Sequence, residues 1–211
     1  MTVPFIAVLD YGIGNLRSAE KALQKVGADA RLVTAPAEAS GAAGIVLPGV
    51  GNYGACANAL RSSGLDTVAR DAFASGLPLL AVCVGMQLVY ERSTESPGVD
   101  GLGLLDGTVD LIVGDVKRPQ MQWNVVEPVP GRGESGLMAA LGAGSWLYFV
   151  HSYAAPVDEV TVGVCDYGGA VAAAAECGAL WATQFHPEKS GEAGLRLLHG
   201  FAARCGALEP A

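Results

Sequence analysis

Short apolar runs alternate with segments of helical spacing through the first half of the chain. Runs at 5–9, 30–33, 44–47 and 79–82 are mostly apolar, as expected of strands that are buried on both faces. Between them, apolar residues recur three or four positions apart, as they do on one face of a helix. This alternation predicts an α/β fold with three layers, in which helices cover both faces of a mostly parallel sheet.

The helical segments can be assigned approximate ends. Helices are predicted at 53–61, 65–75 and 85–91. Asn15 is expected to cap an earlier helix and Ser190 the last one, because their side-chain oxygens can accept a free N–H of the first turn.

The second half of the chain has a different pattern. From 104 to 127 and from 146 to 176, strand-like runs are joined by turns rich in glycine and proline, which predicts a mixed or antiparallel extension of the sheet. A last strand is predicted at 180–185. Since no repeat and no linker-like segment divides the sequence, we expect one domain over residues 1–211.

Charge and composition exclude several classes of function. The chain has 13 Lys and Arg against 21 Asp and Glu, a net charge of −8, which argues against nucleic acid as a partner. No basic leader precedes an apolar stretch, and no run reaches the ~20 apolar residues that cross a bilayer, so neither a signal peptide nor a membrane is expected. Five cysteines without a C-x-x-C pair indicate a reducing cytoplasm, and neither a metal nor another cofactor is expected.

Cys83 is a candidate nucleophile because of where it stands. It follows the buried run 79–82 and precedes a predicted helix, a turn that exposes a side chain at the carboxyl edge of the sheet. The helix N-terminus favours a thiolate there, and Gly85 supplies the small residue that such a crowded turn needs. The alternative interpretation is a small buried hydrophobic residue, which is common for a free cysteine.

A thiol needs a base, and His186 is the histidine best placed to act as one. It follows a strand-like run, and Pro187 ends that run. Glu188 lies two residues on, where a carboxylate can fix the tautomer and orientation of the ring, as the third member of a triad does. His151 is interpreted instead as a structural hydrogen-bonding group at a strand end.

A glycine-rich segment after the third predicted strand is a candidate oxyanion hole. The N–H of Val50 or Gly51, together with that of Val84, is expected to hold a tetrahedral oxyanion. Gly49, Gly51 and Gly54 also match the dinucleotide pattern G-x-G-x-x-G. That match is weak, because no acidic residue stands at a strand end about 20 positions later.

These segments together resemble class I, triad-type glutamine amidotransferases, and the resemblance runs through most of the chain. More narrowly, the chain is similar to the glutaminase subunits of imidazole glycerol phosphate synthase, which supply ammonia in histidine biosynthesis. The segments that carry the resemblance are VLDYGIGNLRS, LPGVGNYG, VCVGMQLVYE, QWNVV, YFVHSY and ATQFHPEKSG. One departure is that Gln120, Met121 and Gln122 stand where the family usually has His-Met-Gly.

The resemblance implies that L-glutamine is hydrolysed to glutamate and ammonia through a thioester on Cys83. It further implies that Gln87 helps to bind glutamine and that Glu95 meets its α-ammonium group. Ser152 and Tyr153 are expected to hold its α-carboxylate through backbone groups.

The resemblance also implies a partner chain, because ammonia is useful only if it reaches an acceptor. That partner is expected to be a (β/α)₈-barrel cyclase that forms a heterodimer over the active site. Trp123, Tyr148 and Lys189 are candidates for the docking surface, since large aromatic side chains are typical interface anchors. The alternatives are ordinary packing for the two rings and a solvated charge for the lysine.

Three other functions stay open on the sequence. The chain could serve a different amidotransferase, such as one for pyridoxal phosphate, tryptophan or nucleotide synthesis. It could be a stand-alone cysteine hydrolase. It could also be a nucleotide-binding or purely regulatory module, in which case Cys83 would resist a glutamine-like electrophile.

Overall fold

The computed structural model describes residues 4–208, and strands alternate with helices through the first half of this range. The strands are β1 (Phe5–Leu9), β2 (Asp29–Val33), β3 (Gly44–Gly49), β4 (Leu79–Cys83), β5 (Tyr90–Ser93), β6 (Leu105–Leu111), β7 (Gln120–Pro128), β8 (Ser145–His151), β9 (Tyr153–Ala154), β10 (Thr161–Asp166), β11 (Ala170–Cys177) and β12 (Leu180–Thr183). The helices are α1 (Leu16–Lys25), α2 (Tyr53–Ser62), α3 (Leu65–Ser75), α4 (Val84–Val89), α5 (Gly136–Leu141) and α6 (Gly191–Arg204).

Nine of these strands form one mixed sheet, in the order β2-β1-β3-β4-β12-β11-β10-β7-β8. The strands from β2 to β12 in this order pair in parallel, and those from β12 to β8 pair antiparallel. The change of pattern that separates the two halves of the sequence is therefore a change of strand direction within one sheet. The strands β5, β6 and β9 form a smaller sheet beside it.

Both faces of the parallel half are covered. Every residue of β4 is buried, as are Ile6 to Leu9 of β1, so alternate side chains of each strand meet packed atoms on opposite faces. The helices form two groups, with α6 against α1 and α5, and α2 against α3 and α4. This arrangement confirms the predicted three-layer α/β fold.

Two details of the predicted helices are wrong. The helix after Cys83 ends at Val89 rather than at residue 91, because Tyr90 begins β5 and pairs with Leu105. Asn15 and Ser190 occupy the positions before α1 and α6, but neither side chain accepts a helix N–H. The Asn15 oxygen accepts a bond from Ser18 instead, and Ser190 bonds to the segment around His186.

No helix within residues 4–208 is both long enough and apolar enough to cross a bilayer.

Candidate active site

Cys83 sits on a strained turn between β4 and α4. Its φ of +55° makes it the one residue other than glycine with a positive φ among the described residues. Cysteine adopts this conformation only where the surroundings enforce it. Here β4 is hydrogen-bonded to β3 on one side and to β12 on the other, and α4 begins at the residue after Cys83. The strain aims the side chain away from the strand and into a cavity, as the sequence predicts.

The turn also requires a glycine two residues after the nucleophile. A Cβ on Gly85 would overlap the carbonyl oxygen of Leu47 in β3. This close approach brings the start of α4 against β3, whose last residue, Gly49, lies opposite Cys83 in the sheet register. The glycine-rich segment that follows β3 is therefore beside the nucleophile.

His186 and Glu188 form a buried pair just after β12. The Nδ1 atom of His186 is 2.8 Å from the Glu188 carboxylate, and the two side chains are 2% and 7% exposed. The backbone of His186 is fixed as well, since its N–H donates to the Tyr148 carbonyl and its own carbonyl accepts from the Ser190 hydroxyl. Only Nε2 of the ring is left to react.

The electrostatics of His186 favour its charged form. Burial alone lowers the pKa of an imidazole, because the imidazolium loses its hydration. The sulfur of Cys83 and the carboxylate of Glu188 outweigh burial and raise the pKa of His186 above its ordinary value. Nε2 is buried and makes no hydrogen bond in the structure, although interaction with the sulfur contributes to the raised pKa. Cys83 and His186 line the same cavity, so the sulfur and the free nitrogen face a common space.

The predicted site residues share one cavity of about 470 Å³ at the carboxyl edge of the parallel strands. Nine of the ten predicted catalytic, oxyanion and substrate-binding residues line this cavity, and the tenth, Glu188, lies behind His186. Those lining the cavity are Val50, Gly51, Cys83, Val84, Gln87, Glu95, Ser152, Tyr153 and His186. This volume suits a small molecule such as an amino acid.

Glu95 joins the cavity to the start of α2. Its Oε2 atom accepts a hydrogen bond of 2.7 Å from the Tyr53 N–H, the first of the helix. Such an N–H has no partner within the helix, and the helix dipole stabilises a negative charge there. The carboxylate is thereby held at the cavity wall with its other oxygen available to a cationic group.

The backbone of Tyr153 faces the cavity side of its strand. Just beyond the paired ends of β6 and β9, the Ile112 N–H donates to the Ser152 carbonyl, so the adjacent pair, Leu111 and Tyr153, is a non-hydrogen-bonded one. The carbonyl of Tyr153 accordingly points away from β6, where it accepts from Gln87 and His151. Its N–H points to the same side and is free to meet an anionic group.

Gln184, which the sequence analysis did not single out, completes the surroundings of the nucleophile. Its side-chain nitrogen is 3.8 Å from the Cys83 sulfur, and its side-chain oxygen accepts from Gln87 at 3.1 Å. Gln87 thus commits its nitrogen to Tyr153 and Gln184, which leaves its oxygen for a ligand. The available signal was a glutamine in the apolar run LWATQF, since a buried polar residue needs a partner.

The glycine-rich segment after β3, which the sequence predicts to form an oxyanion hole, is held by two buried donors behind it. The Tyr11 hydroxyl donates to the Pro48 carbonyl, and the Cys56 thiol donates to the Val50 carbonyl at 3.2 Å. Burial raises the pKa of both donors, so they keep their protons. Because the carbonyl and N–H of one peptide point in opposite directions, the Gly51 N–H points away from Cys56. Gly51 itself has a φ of +87°.

His151 has the structural role that the sequence suggests. The ring is buried, with Nδ1 2.8 Å from the Tyr153 carbonyl and Nε2 2.9 Å from the side-chain amide of Gln120. Burial lowers the pKa of His151 to about 4, so the ring is neutral at physiological pH. Gln120, at the position of the family departure, is therefore a buried partner of this histidine and lies away from the surface.

The three residues predicted to dock a partner lie in contact. Trp123 and Tyr148 pack edge to face with ring centroids 6.0 Å apart, and the Lys189 ammonium lies 5.9 Å from the Tyr148 centroid. Trp123 and Tyr148 belong to a larger surface, here called the aromatic face, that β7 and β8 present on one side. Strand alternation and the register place six residues on it, namely Met121, Trp123, Val125, Trp146, Tyr148 and Val150.

The aromatic face adjoins the cavity. Met121, Trp123 and Trp146 are 61%, 48% and 61% exposed, and Val150 and Lys189 also line the cavity. Large apolar side chains grouped in this way mark an interaction surface. Met121 and Trp146 were not predicted, because surface exposure in a strand depends on which face its neighbours cover.

Comparison with known proteins gives a consistent result. The sequence family described as "Glutamine amidotransferase class-I" matches residues 7–205. A protein of Deinococcus radiodurans named imidazole glycerol phosphate synthase subunit HisH is 45% identical over 202 residues, covering 94% of this chain and 93% of its own length. A protein of the same name from Mycolicibacterium paratuberculosis is 46% identical over 210 residues, covering 97% of this chain and 100% of its own length.

Solved structures share the fold at lower sequence identity. A structure titled "Crystal structure of glutamine amidotransferase" superposes with a TM-score of 0.74 at 20% identity, covering 95% of this chain and 98% of the other. The structure of PurLQS from Thermotoga maritima has a TM-score of 0.74 at 21% identity, covering 96% and 99%.

Proposed function

This chain belongs to the class-I glutamine amidotransferases, in the branch of the HisH subunits of imidazole glycerol phosphate synthase, and we propose that Cys83, His186 and Glu188 carry its glutaminase reaction. It is a glutamine amidotransferase of histidine biosynthesis. The observation that supports the residue assignment is convergence. A sulfur meets an imidazole and its carboxylate partner, which lie about 100 positions further along the sequence, at one edge of the sheet, and the sulfur and the imidazole line one cavity.

The first half of the reaction forms a thioester. Nε2 of His186 takes the thiol proton, and the Cys83 sulfur attacks the side-chain amide carbon of glutamine. The carbonyl oxygen becomes an oxyanion, for which the N–H groups of Val50 or Gly51 and of Val84 are the donors. The imidazolium then protonates the nitrogen, the C–N bond breaks, and ammonia leaves. Glu188 keeps the ring oriented and stabilises its positive charge.

The second half releases glutamate. His186 removes a proton from water, and the resulting hydroxide attacks the thioester carbon. The C–S bond breaks, and the proton returns to the sulfur. No cofactor is required in either half, since every proton and electron pair comes from the substrates and these side chains.

The walls of the cavity match the charges of an amino acid. The Glu95 carboxylate is proposed to bind the α-ammonium group and the Tyr153 N–H the α-carboxylate, with Ser152 beside it in the cavity wall. The Gln87 oxygen remains available for a donor on the substrate. Such paired recognition of opposite charges fixes the direction in which glutamine enters, with its amide toward Cys83.

We also propose the form of the partner. The chain is one subunit of a two-subunit synthase, and the finer proposal is a (β/α)₈-barrel cyclase docked on the aromatic face to form a heterodimer. Lys189 lines the cavity, and Trp123 and Tyr148 lie next to it on the aromatic face, where a chain docked over the cavity would receive ammonia before water protonates it. The assembly is proposed to work in the cytoplasm, with this chain as a single glutaminase domain.

A reconstitution experiment tests this function. The purified chain is mixed with the cyclase, and complex formation and ammonia release from glutamine are measured with and without that partner. We expect co-purification and faster release in the complex. Equal turnover by the isolated chain would favour a stand-alone hydrolase. Failure to complement a histidine auxotroph that lacks the glutaminase would favour a different amidotransferase.

A further inference from the structure

The side chain of Gln184 is buried against the nucleophile and has no part in the triad. It is fully buried, and its amide nitrogen lies 3.8 Å from the Cys83 sulfur. Its backbone is fixed too, because the Gln184 N–H donates to the Ala173 carbonyl in the neighbouring strand. A buried amide in this position either stabilises the sulfur or serves only to fill space.

The hydrogen bonds around Gln184 decide which end of its amide faces the sulfur. The Tyr153 carbonyl can only accept, so Gln87 must present its nitrogen to it, at 2.9 Å. The same nitrogen points its second hydrogen at the Gln184 oxygen, at 3.1 Å. With that oxygen occupied as an acceptor, the nitrogen of Gln184 is the end directed at Cys83.

We propose that Gln184 donates a hydrogen bond to the Cys83 thiolate and so holds the sulfur ready for attack, with the direction of this bond fixed through Gln87 by the Tyr153 carbonyl. A buried thiolate needs such a donor, because hydrogen bonds replace the hydration that burial removes. The Val150 carbonyl, 4.0 Å from the sulfur, can only accept and gives a thiolate no support. The proposal rests on Cys83 being the nucleophile.

The hydrogen bonds from Tyr153 through Gln87 and Gln184 to Cys83 link two parts of the site that are proposed to act on different ends of the substrate. Tyr153 belongs to the segment proposed to bind the α-carboxylate, whereas Cys83 attacks the amide at the other end. A binding event that moves the Tyr153 carbonyl therefore reaches the sulfur through two side-chain amides.

Two substitutions separate the donor from its other contacts. Gln184→Glu has nearly the same shape and, when ionised, still accepts from Gln87, but it has no hydrogen to donate to the sulfur. Gln184→Met fills the space and makes neither bond. If donation matters, both variants lose reactivity, and the glutamate variant loses at least as much. If only packing matters, Gln184→Met, which adds no charge beside the sulfur, behaves like the wild type.

The assay is alkylation of Cys83 by iodoacetamide across a pH range, followed by mass spectrometry of the peptides of the full-length chain. Cys177, which is partly exposed and lies elsewhere, is an internal reference in every sample. At mildly alkaline pH we expect Gln184→Glu to slow alkylation of Cys83 by about tenfold or more and to move the midpoint of the profile to higher pH. Cys177 should react as before.

A measurement on the wild-type chain guards against variants that fold poorly. The side-chain NH₂ signals of ¹⁵N-labelled Gln184 should shift as the thiolate forms, and they should not shift in Cys83→Ala. Wild-type alkylation in Gln184→Met, or NH₂ signals that do not change when the thiolate forms, would overturn the proposal. Retention of glutamine hydrolysis by Cys83→Ala is a different result, which would overturn the assignment of the nucleophile.

Discussion

Replacing Glu188 by glutamine removes one negative charge from the site and little else. Glu188→Gln keeps the size of the side chain and can still accept from His186 Nδ1, which is 2.8 Å away in the wild type. What it loses is the stabilisation of the imidazolium that forms when His186 takes the thiol proton. The variant therefore tests the charge of the third residue separately from its position.

The size of the effect follows from burial. Both side chains are less than a tenth exposed, so water screens the pair weakly. Two unit charges about 4 Å apart interact by about 4 kcal/mol at an effective dielectric constant of about 20. Part of this interaction is already present in the ground state, so we take about 3 kcal/mol as the transition-state stabilisation that Glu188→Gln loses. At 1.36 kcal/mol per tenfold, kcat falls by roughly 100-fold or more.

The pH profile should change in a defined direction. Glu188 helps to raise the pKa of His186, so its removal lowers that pKa. The imidazolium then loses its proton at lower pH, and the alkaline limb of the kcat profile moves toward lower pH.

The assay is ammonia release by the complex at saturating glutamine over a range of pH. Glu192→Gln is a matched control, because it neutralises an exposed carboxylate four residues further on, at the start of α6. A Glu188→Gln variant with a kcat within threefold of the wild type and an unmoved alkaline limb would refute the triad role of Glu188.

Three further predictions concern other parts of the chain. Cys83→Ala should abolish glutamine hydrolysis while the complex still makes product from free ammonium, which a paired glutamine and ammonium assay measures. Gly85→Ala should destabilise the fold by at least about 4 kcal/mol, because its Cβ would overlap the Leu47 carbonyl, and urea unfolding of the recovered protein checks this. Burial lowers the pKa of His151 to about 4, below its unfolded value near 6.5, so its contribution to stability is complete above that value and is lost as the pH falls toward 4. The loss amounts to about 3 kcal/mol, and His151→Gln, which does not titrate, should unfold with a shallower pH dependence over the same range.

Local signals in the sequence sufficed wherever one element determines the position of a residue. Cys83 at the end of an apolar run and Gly85 after it already define a strained strand-to-helix turn, and the H-x-E spacing defines the orientation of His186. The strands of the parallel half could be predicted equally well, because burial on both faces gives short runs with few polar residues.

Contacts between distant segments were harder to predict from the sequence. The pairing of Gln184 with Cys83 joins residues 101 positions apart, and nothing near either residue specifies it. The side chains of Asn15 and Ser190 were expected to cap helices, but the Asn15 oxygen accepts from the nearby Ser18 hydroxyl and the Ser190 hydroxyl accepts from the distant Tyr148 N–H. Tyr90 likewise left its predicted helix because strand pairing with Leu105 is available only in the folded chain.

The segment from His186 to Ser190 has a second consequence for the molecule. Strand β8 is the last in the large sheet, and such a margin offers unpaired backbone groups to any passing chain. At Tyr148 both groups are already taken, the carbonyl by the His186 N–H and the N–H by the Ser190 hydroxyl. The loop that carries His186, the proposed base, thus also covers part of this sheet edge, and loosening it would expose backbone groups that favour aggregation as well as displacing the histidine.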